Sequence, residues 1–471
     1  MLHRWTPTLL AVPVLLLLCA SDAHASNAPG GAGDTAWWLV GLFTLQGFVI
    51  WLFSRQRYLV LKDGELKPAF TDLQEFSSYL LSGAVIAQLW VHGDPTSYAA
   101  TVHDVLATLP WIDFDISLHF LANEVLMAFF FGIAAKELSE AILLRDGALR
   151  GARGLLPAIA CLGGVIGPAV VYRILCTPDM AGAWAVPCAT DIAFAWIGAR
   201  AIWGVKHPAV TFLLALAVAD DFVGMGLIAI FYPQRPFDVT GVLLLALGMG
   251  LAFGCNRGAR RIAALGRWQA FVIPGALCWI ALHLAGLHTA LALVFVVPFM
   301  PMRNRDEGFF AEDDYSQLDS INLFEKSHKP FVDIGLFYFG LANAGVLWWG
   351  SQAWDQNSWA VFLGLGLGKT IGVSAFTVLA FVLLKLARRP VSLPADAQSG
   401  QQVVWRDVPL IGLLAAMGFT VALFVAEAAG GHPSLKLGAL ASFSFLALAI
   451  VLGRVQLARD ALPAAAVRSD S

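Results

Sequence analysis

Between Ala209 and Phe231 the chain runs for 23 residues whose only charges are two adjacent aspartates, Asp220 and Asp221. A helix of ~20 apolar residues is long enough to cross a bilayer. Even low estimates put each mid-bilayer aspartate at roughly 2.5–3.5 kcal/mol unfavourable. A sequence accepts that cost twice only when the carboxylates face other helices or water. The run therefore demands a surrounding bundle, and its acids read as an ion or proton site.

Composition agrees. Of 471 residues 58% are hydrophobic and 13% charged, against about 25% charged in soluble domains. This is an all-α polytopic membrane protein in contact with lipid. The net charge of -3 argues against a nucleic-acid partner. Six cysteines lie in or beside apolar segments without CxxC pairing, and read as small buried hydrophobes.

The N-terminus has the form of a signal peptide over residues 1–25. Arg4 precedes the apolar stretch Leu9–Ala20, and Ala23-His24-Ala25 supplies a cleavage site. Residues 26–72 then read as a linker, one extra helix (36–53) and a basic loop. Twelve further spans are expected within a core at 73–455: 74–92, 117–141, 154–175, 182–203, 208–232, 239–255, 268–285, 287–302, 330–349, 358–386, 408–428 and 435–454. Residues 456–471 form a tail. With this count, 24 Lys and Arg fall in alternate loops, and only Arg173, Arg235 and Lys436 fall in the others. That asymmetry places the tail in the cytoplasm and the mature N-terminus outside.

Two spans are interrupted. Pro187 precedes Cys188-Ala189-Thr190-Asp191 in the fourth, and Met417-Gly418-Phe419-Thr420 lies within the eleventh. Broken helices in corresponding parts of two halves point to a transport site near the midplane. Asp191 and Lys369 are each isolated in apolar sequence, so they most economically meet Asp220 and Asp221 in one place. Successive helix residues point ~100° apart, so one aspartate can pair with Lys369 while its neighbour faces an ion path. Adjacent buried carboxylates cannot both carry charge cheaply, and carboxylate oxygen suits protons and small hard cations alike. Mutually exclusive binding of the two is antiport. Asp191 has two readings, a cap on a half-helix or an ion ligand. Glu124 and Glu137 either line a cytoplasmic funnel or mark helix ends. His288 is a satisfied core histidine or a proton carrier.

At these residues the chain resembles the NhaA family of bacterial sodium/proton antiporters. The matching stretches are VPCATDIAFA (186–195), LLALAVADDFVGMGLIAIFY (213–232), GLGLGKTIGVSAF (364–376), FGLANAGV (339–346) and MGFTVALFVA (417–426). The resemblance implies a twelve-helix core with inverted repeats and two broken, crossing helices. It implies Asp220 and Asp221 as the Na⁺- and H⁺-binding carboxylates, and Lys369 as the partner of Asp220. Thr190 and Asp191 would stand at the helix crossing, while Glu137 and Glu325 would serve the cytoplasmic funnel and the pH response. The implied activity is export of Na⁺ or Li⁺ in exchange for protons across the inner membrane, rising at alkaline pH, with no cofactor and no enzymatic chemistry. The family often makes dimer contacts in the segment matching 93–116, which leaves a homodimer open. Near FEKSHKP the family's two histidines are replaced by Lys326 and Lys329, with His328 out of register. The alternative is a sodium-coupled organic solute symporter of related fold.

Overall fold

The computed structural model describes residues 77–109, 114–144, 147–204, 207–302, 319–348, 354–388, 393–394 and 402–469. The signal segment, the extra helix and residues 303–318 lie outside the described residues. Helices α1 (Ser77–Gly93) and α2 (Pro95–His103) lead into an antiparallel hairpin, β1 (Ala107–Leu109) and β2 (Phe114–Ile116). The hairpin departs from the all-α expectation. Then come α3 (Leu118–Leu143), α4 (Gly151–Leu175), α5 (Ile192–Trp203), α6 (Pro208–Phe231), α7 (Val239–Ala259) and α8 (Val272–Leu284). The rest are α9 (Ser320–Asn343), α10 (Gln356–Leu386), α11 (Asp407–Ala415), α12 (Thr420–Ala428), α13 (Pro433–Ala441) and α14 (Phe443–Ser469).

Six of these segments are long and apolar enough to cross a membrane, or eight if each of two bent pairs is one span. The reading of twelve spans is finer than that criterion resolves. Two boundaries differ from expectation for physical reasons. The eighth expected span, 287–302, is two 3₁₀ turns, Thr289–Phe295 and Val297–Phe299, in a stretch that Pro298 and Pro301 interrupt. The ninth begins at Ser320 instead of Pro330, because the Asp319 carboxylate accepts the Asn322 N–H at 3.1 Å and caps the helix earlier. Helix α14 runs from Phe443 to Ser469.

The helices pack as two bundles. One joins α1, α3, α7, α8, α9 and the 3₁₀ turns, and the other joins α4, α5, α6 and α10–α14. They meet chiefly along α3–α6 and α9–α12. The densest packing in each depends on glycine. A Cβ at Gly83 of α1 would stand 2.0 Å from the Phe337 carbonyl of α9, and one at Gly163 of α4 would stand 2.2 Å from the Gly372 carbonyl of α10. Small residues at such positions let membrane helices approach backbone to backbone. This packing holds α10, with Lys369, against α4.

Candidate functional site

The first bent pair, Pro178–Cys188 with α5, turns by 54°, and the second, α11 with α12, turns by 50°. Pro187 lacks an N–H, and Ala189 is extended (φ -79°, ψ 151°), so helical bonding lapses before Thr190. Each break strands backbone groups that water cannot reach, and these groups find partners across the crossing. The Asp191 N–H donates to the Met417 carbonyl at 2.7 Å. The Thr190 hydroxyl lies 2.9 Å from the Ala415 carbonyl, at the end of α11. Lys369 Nζ donates to the Cys188 carbonyl at 2.6 Å.

Asp191 serves both helix starts. Its Oδ1 accepts the Phe194 N–H of α5 at 3.4 Å, and its Oδ2 accepts the Thr420 N–H of α12 at 3.2 Å. The Thr420 hydroxyl donates to Oδ2 as well. One carboxylate thus meets the positive ends of two half-helices. The capping reading of Asp191 is realised twice, and the same side chain also lines the cavity described below.

Asp220 and Asp221 sit consecutively on α6 with different surroundings. Asp220 Oδ2 accepts from Lys369 Nζ at 2.5 Å, and the Thr190 hydroxyl lies 2.6 Å from the same oxygen. Cys161 Sγ lies 3.8 Å from its Oδ1. Asp220 is 2% exposed and Lys369 is fully buried. Asp221 is also buried, but its Oδ1 has no hydrogen-bond partner. It faces a cavity of about 80 Å³ that Asp191, Thr190, Thr420 and Glu137 also line. A buried carboxylate oxygen left open beside a second carboxylate and two hydroxyls can take a proton or a small hard cation. Among the described residues no three His, Cys, Asp or Glu side chains close into a metal cage. A cation at Asp221 would complete its shell with hydroxyl, backbone and water oxygens.

The remaining expected residues group around Lys136 of α3. Its Nζ lies 2.7 Å from Glu325 of α9, 3.3 Å from Glu137 and 3.1 Å from Glu140. Glu137 and Glu325 therefore share one lysine, and Glu137 reaches the cavity that ends at Asp221. Glu124 does not belong to this group. It lies 13 residues earlier on α3, roughly 20 Å away by helical rise. There it accepts the Thr289 N–H at 2.9 Å and the Thr289 hydroxyl at 2.6 Å, capping the 3₁₀ turn. Gln234 also donates to it, at 2.7 Å. His288 Nδ1 stands 3.3 Å from Glu124, while Nε2 has no partner, so this histidine is only half satisfied.

Sequence reasoning passed over three features. Cys161, a buried free thiol on α4, touches Asp220. Thr420 stands inside a motif that drew notice for its break, yet its hydroxyl is what reaches Asp191. A third group joins Glu427 of α12 to His119 of α3 at 3.0 Å and to Lys436 of α13 at 2.5 Å. The available signal was an acid near the end of an apolar half-helix, a residue type rarely placed there without a partner.

The sequence matches the Na+/H+ antiporter 1 family across residues 69–457. Among curated proteins it is similar to Na(+)/H(+) antiporter NhaA 2 of Pelobacter propionicus, 39% identical over 393 residues, which is 81% of this chain and 96% of that protein. The Na(+)/H(+) antiporter NhaA of Geobacter sulfurreducens is 39% identical over 392 residues, with the same two coverages. That of Jannaschia sp. is 35% identical over 421 residues, again covering 81% and 96%.

Proposed function

The chain belongs to the Na+/H+ antiporter 1 family, and from that membership we propose that it is a secondary-active antiporter exporting Na⁺ in exchange for H⁺. It is a multi-pass membrane protein. In the finer reading it spans the bacterial inner membrane with a twelve-helix core of inverted repeats, its C-terminus in the cytoplasm, and it takes Li⁺ as well as Na⁺.

The observation that carries the reading is the contrast between the two aspartates. Asp220 is held by Lys369 and Thr190, whereas Asp221 offers an unpaired buried oxygen to a cavity it shares with Asp191 and Thr420. Asp221 is the group at which Na⁺ and H⁺ compete, with Asp220 as the second carboxylate of the exchange. Thr190, Asp191 and Lys369 hold the crossing that positions them. The cavity runs to Glu137, on the side that the positive-inside asymmetry assigns to the cytoplasm. Sodium arriving there displaces a proton from Asp221. Exposure to the other side then lets protons displace the sodium, so each ion leaves only when the other arrives.

The Thr190 hydroxyl adds a constraint. It carries one proton and lies within bonding distance of both Asp220 Oδ2 and the Ala415 carbonyl. Either it donates to Asp220, leaving the carbonyl without this bond, or Asp220 carries a proton and donates to Thr190. The proton load of the acid pair is thereby tied to the end of a half-helix.

Sodium-driven proton release from inverted vesicles tests the reading. The parent should release protons on addition of Na⁺, more strongly at alkaline than at neutral pH. Asp221→Asn, equally well inserted, should fall to the background of empty vesicles. A variant that keeps parental exchange removes the assignment of Asp221, and sodium movement that required an added organic solute would favour the symporter.

A further inference from the structure

We propose that Glu427 is a positioning residue for the exchange: through His119 it latches the outer end of α12 to the opposite bundle, and the latch must part for Asp221 to open outwards. This rests on the antiport reading and on the orientation it adopts. Helix α12 has the ion site at one end and the latch at the other. Thr420 touches Asp191. Glu427 lies seven residues on, roughly 10 Å along the helix.

Three observations support the assignment. First, of the carboxylate contacts with lysine or histidine named above, only His119–Glu427 joins the two bundles. Lys136–Glu325 and His288–Glu124 lie within one bundle, and Lys369–Asp220 and Lys436–Glu427 within the other. His119 Nε2, the same nitrogen that faces Glu427, also lies 2.9 Å from the Asn123 side-chain nitrogen, and Asn123 accepts from Asn343 of α9 at 2.9 Å.

Second, two cavities approach α12 from opposite ends of the molecule. The one of about 80 Å³ reaches Thr420 and Val421 from the Glu137 side. The other, of about 390 Å³, is lined by His119, Glu124, Gln234, Phe424 and Glu427. Third, Phe424 stands between them, one turn beyond Val421. Its ring packs against Phe131 of α3 at 5.1 Å and Phe339 of α9 at 6.3 Å, both from the opposite bundle. All three rings are buried. The wall between the cavities is thus an aromatic contact across the bundle boundary, and the latch sits one turn outside it. Parting the bundles at this end breaks both together.

The test reads access from outside in right-side-out vesicles. Val421→Cys is labelled with a membrane-impermeant thiol reagent, and labelling of the parent's own cysteines is subtracted. Adding Glu427→Gln or His119→Gln should speed labelling at Val421→Cys about fivefold or more. The same two substitutions alone should raise the KM for cytoplasmic sodium with maximal exchange retained, because a smaller fraction of molecules faces inwards. A purely structural loss would lower maximal exchange without sided access. Unchanged labelling with both variants overturns the proposal.

A second arm does not depend on either single variant. His119→Cys/Glu427→Cys, bridged by a short bis-methanethiosulfonate, which forms a disulfide with each thiol and releases sulfinate, should stop exchange and recover when a reductant cleaves the disulfides. Full exchange while bridged overturns the proposal. Labelling requires no assumption about the transported ion, so a parent that showed no sodium-driven proton release would refute the antiport reading and leave the labelling result interpretable.

Discussion

Asp220 and Asp221 are chain neighbours with the same side chain, and the ~100° between successive helix residues separates their roles. Asp220 turns towards α4 and α10, where Lys369 and Thr190 satisfy it. Asp221 turns towards the boundary between the bundles, where a cavity waits. The fully buried Asp220–Lys369 pair offers a stability test. Removing one partner of such a pair leaves an uncompensated charge and costs about 3–5 kcal/mol. Lys369→Met should therefore lower the melting temperature in detergent by several degrees. The double variant Asp220→Asn/Lys369→Met should recover most of that loss, because neither charge is then stranded. Additive losses would show that the two residues do not depend on each other. At this scale the sequence was informative about charges and about Thr190, which adjoins Asp191 at a break, and silent about Thr420 and Cys161. An aspartate in an apolar run is conspicuous by its cost. Thr420 and Cys161 cost little wherever they sit, so only their positions in space show that they touch the acids.

At the scale of elements, the breaks at Pro187 and Gly418 were legible because proline and glycine disturb helices by known mechanisms. What the breaks accomplish was less legible: the freed groups of one bent helix are completed by the other. The start of α9 was expected at 330, whereas the Asp319 cap lets the helix begin at Ser320, ten residues sooner. Two further features escaped a linear reading. Leu121–Leu126 and Gly364–Lys369 form π-helical turns, carrying Glu124 and Lys369 respectively. Such turns arise inside α-helices often at functional positions.

The glycine contacts also yield a prediction. A methyl group at Gly372 would lie 2.0 Å from the Gly163 carbonyl, which is backbone and cannot swing aside. Gly372→Ala should destabilise the fold by about 1–3 kcal/mol or more, read as a lower melting temperature and reduced insertion. Gly226→Ala, which meets nothing within 4 Å, should leave both unchanged.

The loop before α6 adds a pH dependence. His207 caps the helix by accepting the Ala209 N–H at 3.1 Å, and its ring stacks on Trp203. Burial holds its imidazole below the ordinary histidine value. The unfolded chain then takes up the proton first as pH falls, so this contribution is present at neutral pH and is lost on acidification through the histidine range. His207→Asn keeps an acceptor without the titration. A melting curve against pH should be flatter for that variant, and an identical slope would remove the role of His207.

At the scale of the whole molecule, apolar run length and composition made the membrane class readable, but not the division into two bundles. Each bundle draws on separate stretches of the chain: α1, α3, α7, α8 and α9 against α4–α6 and α10–α14. No local pattern marks which helices travel together. The hairpin at 107–116 was hidden for a related reason, since its strands are three residues each and carry no alternation long enough to detect. The His119–Glu427 contact spans the whole assembly in the same way, joining residues more than 300 positions apart.

Where Gly163 and Gly372 meet, two main chains rest directly on each other with no soft padding between them. Tilting one drags the other along, as with a pair of planks nailed face to face. Lys369 rides on one plank, and α6, carrying Asp220, is packed against the other. Swinging the bundle cannot pull that ammonium off its carboxylate; only a change in what the acid itself is holding can release it.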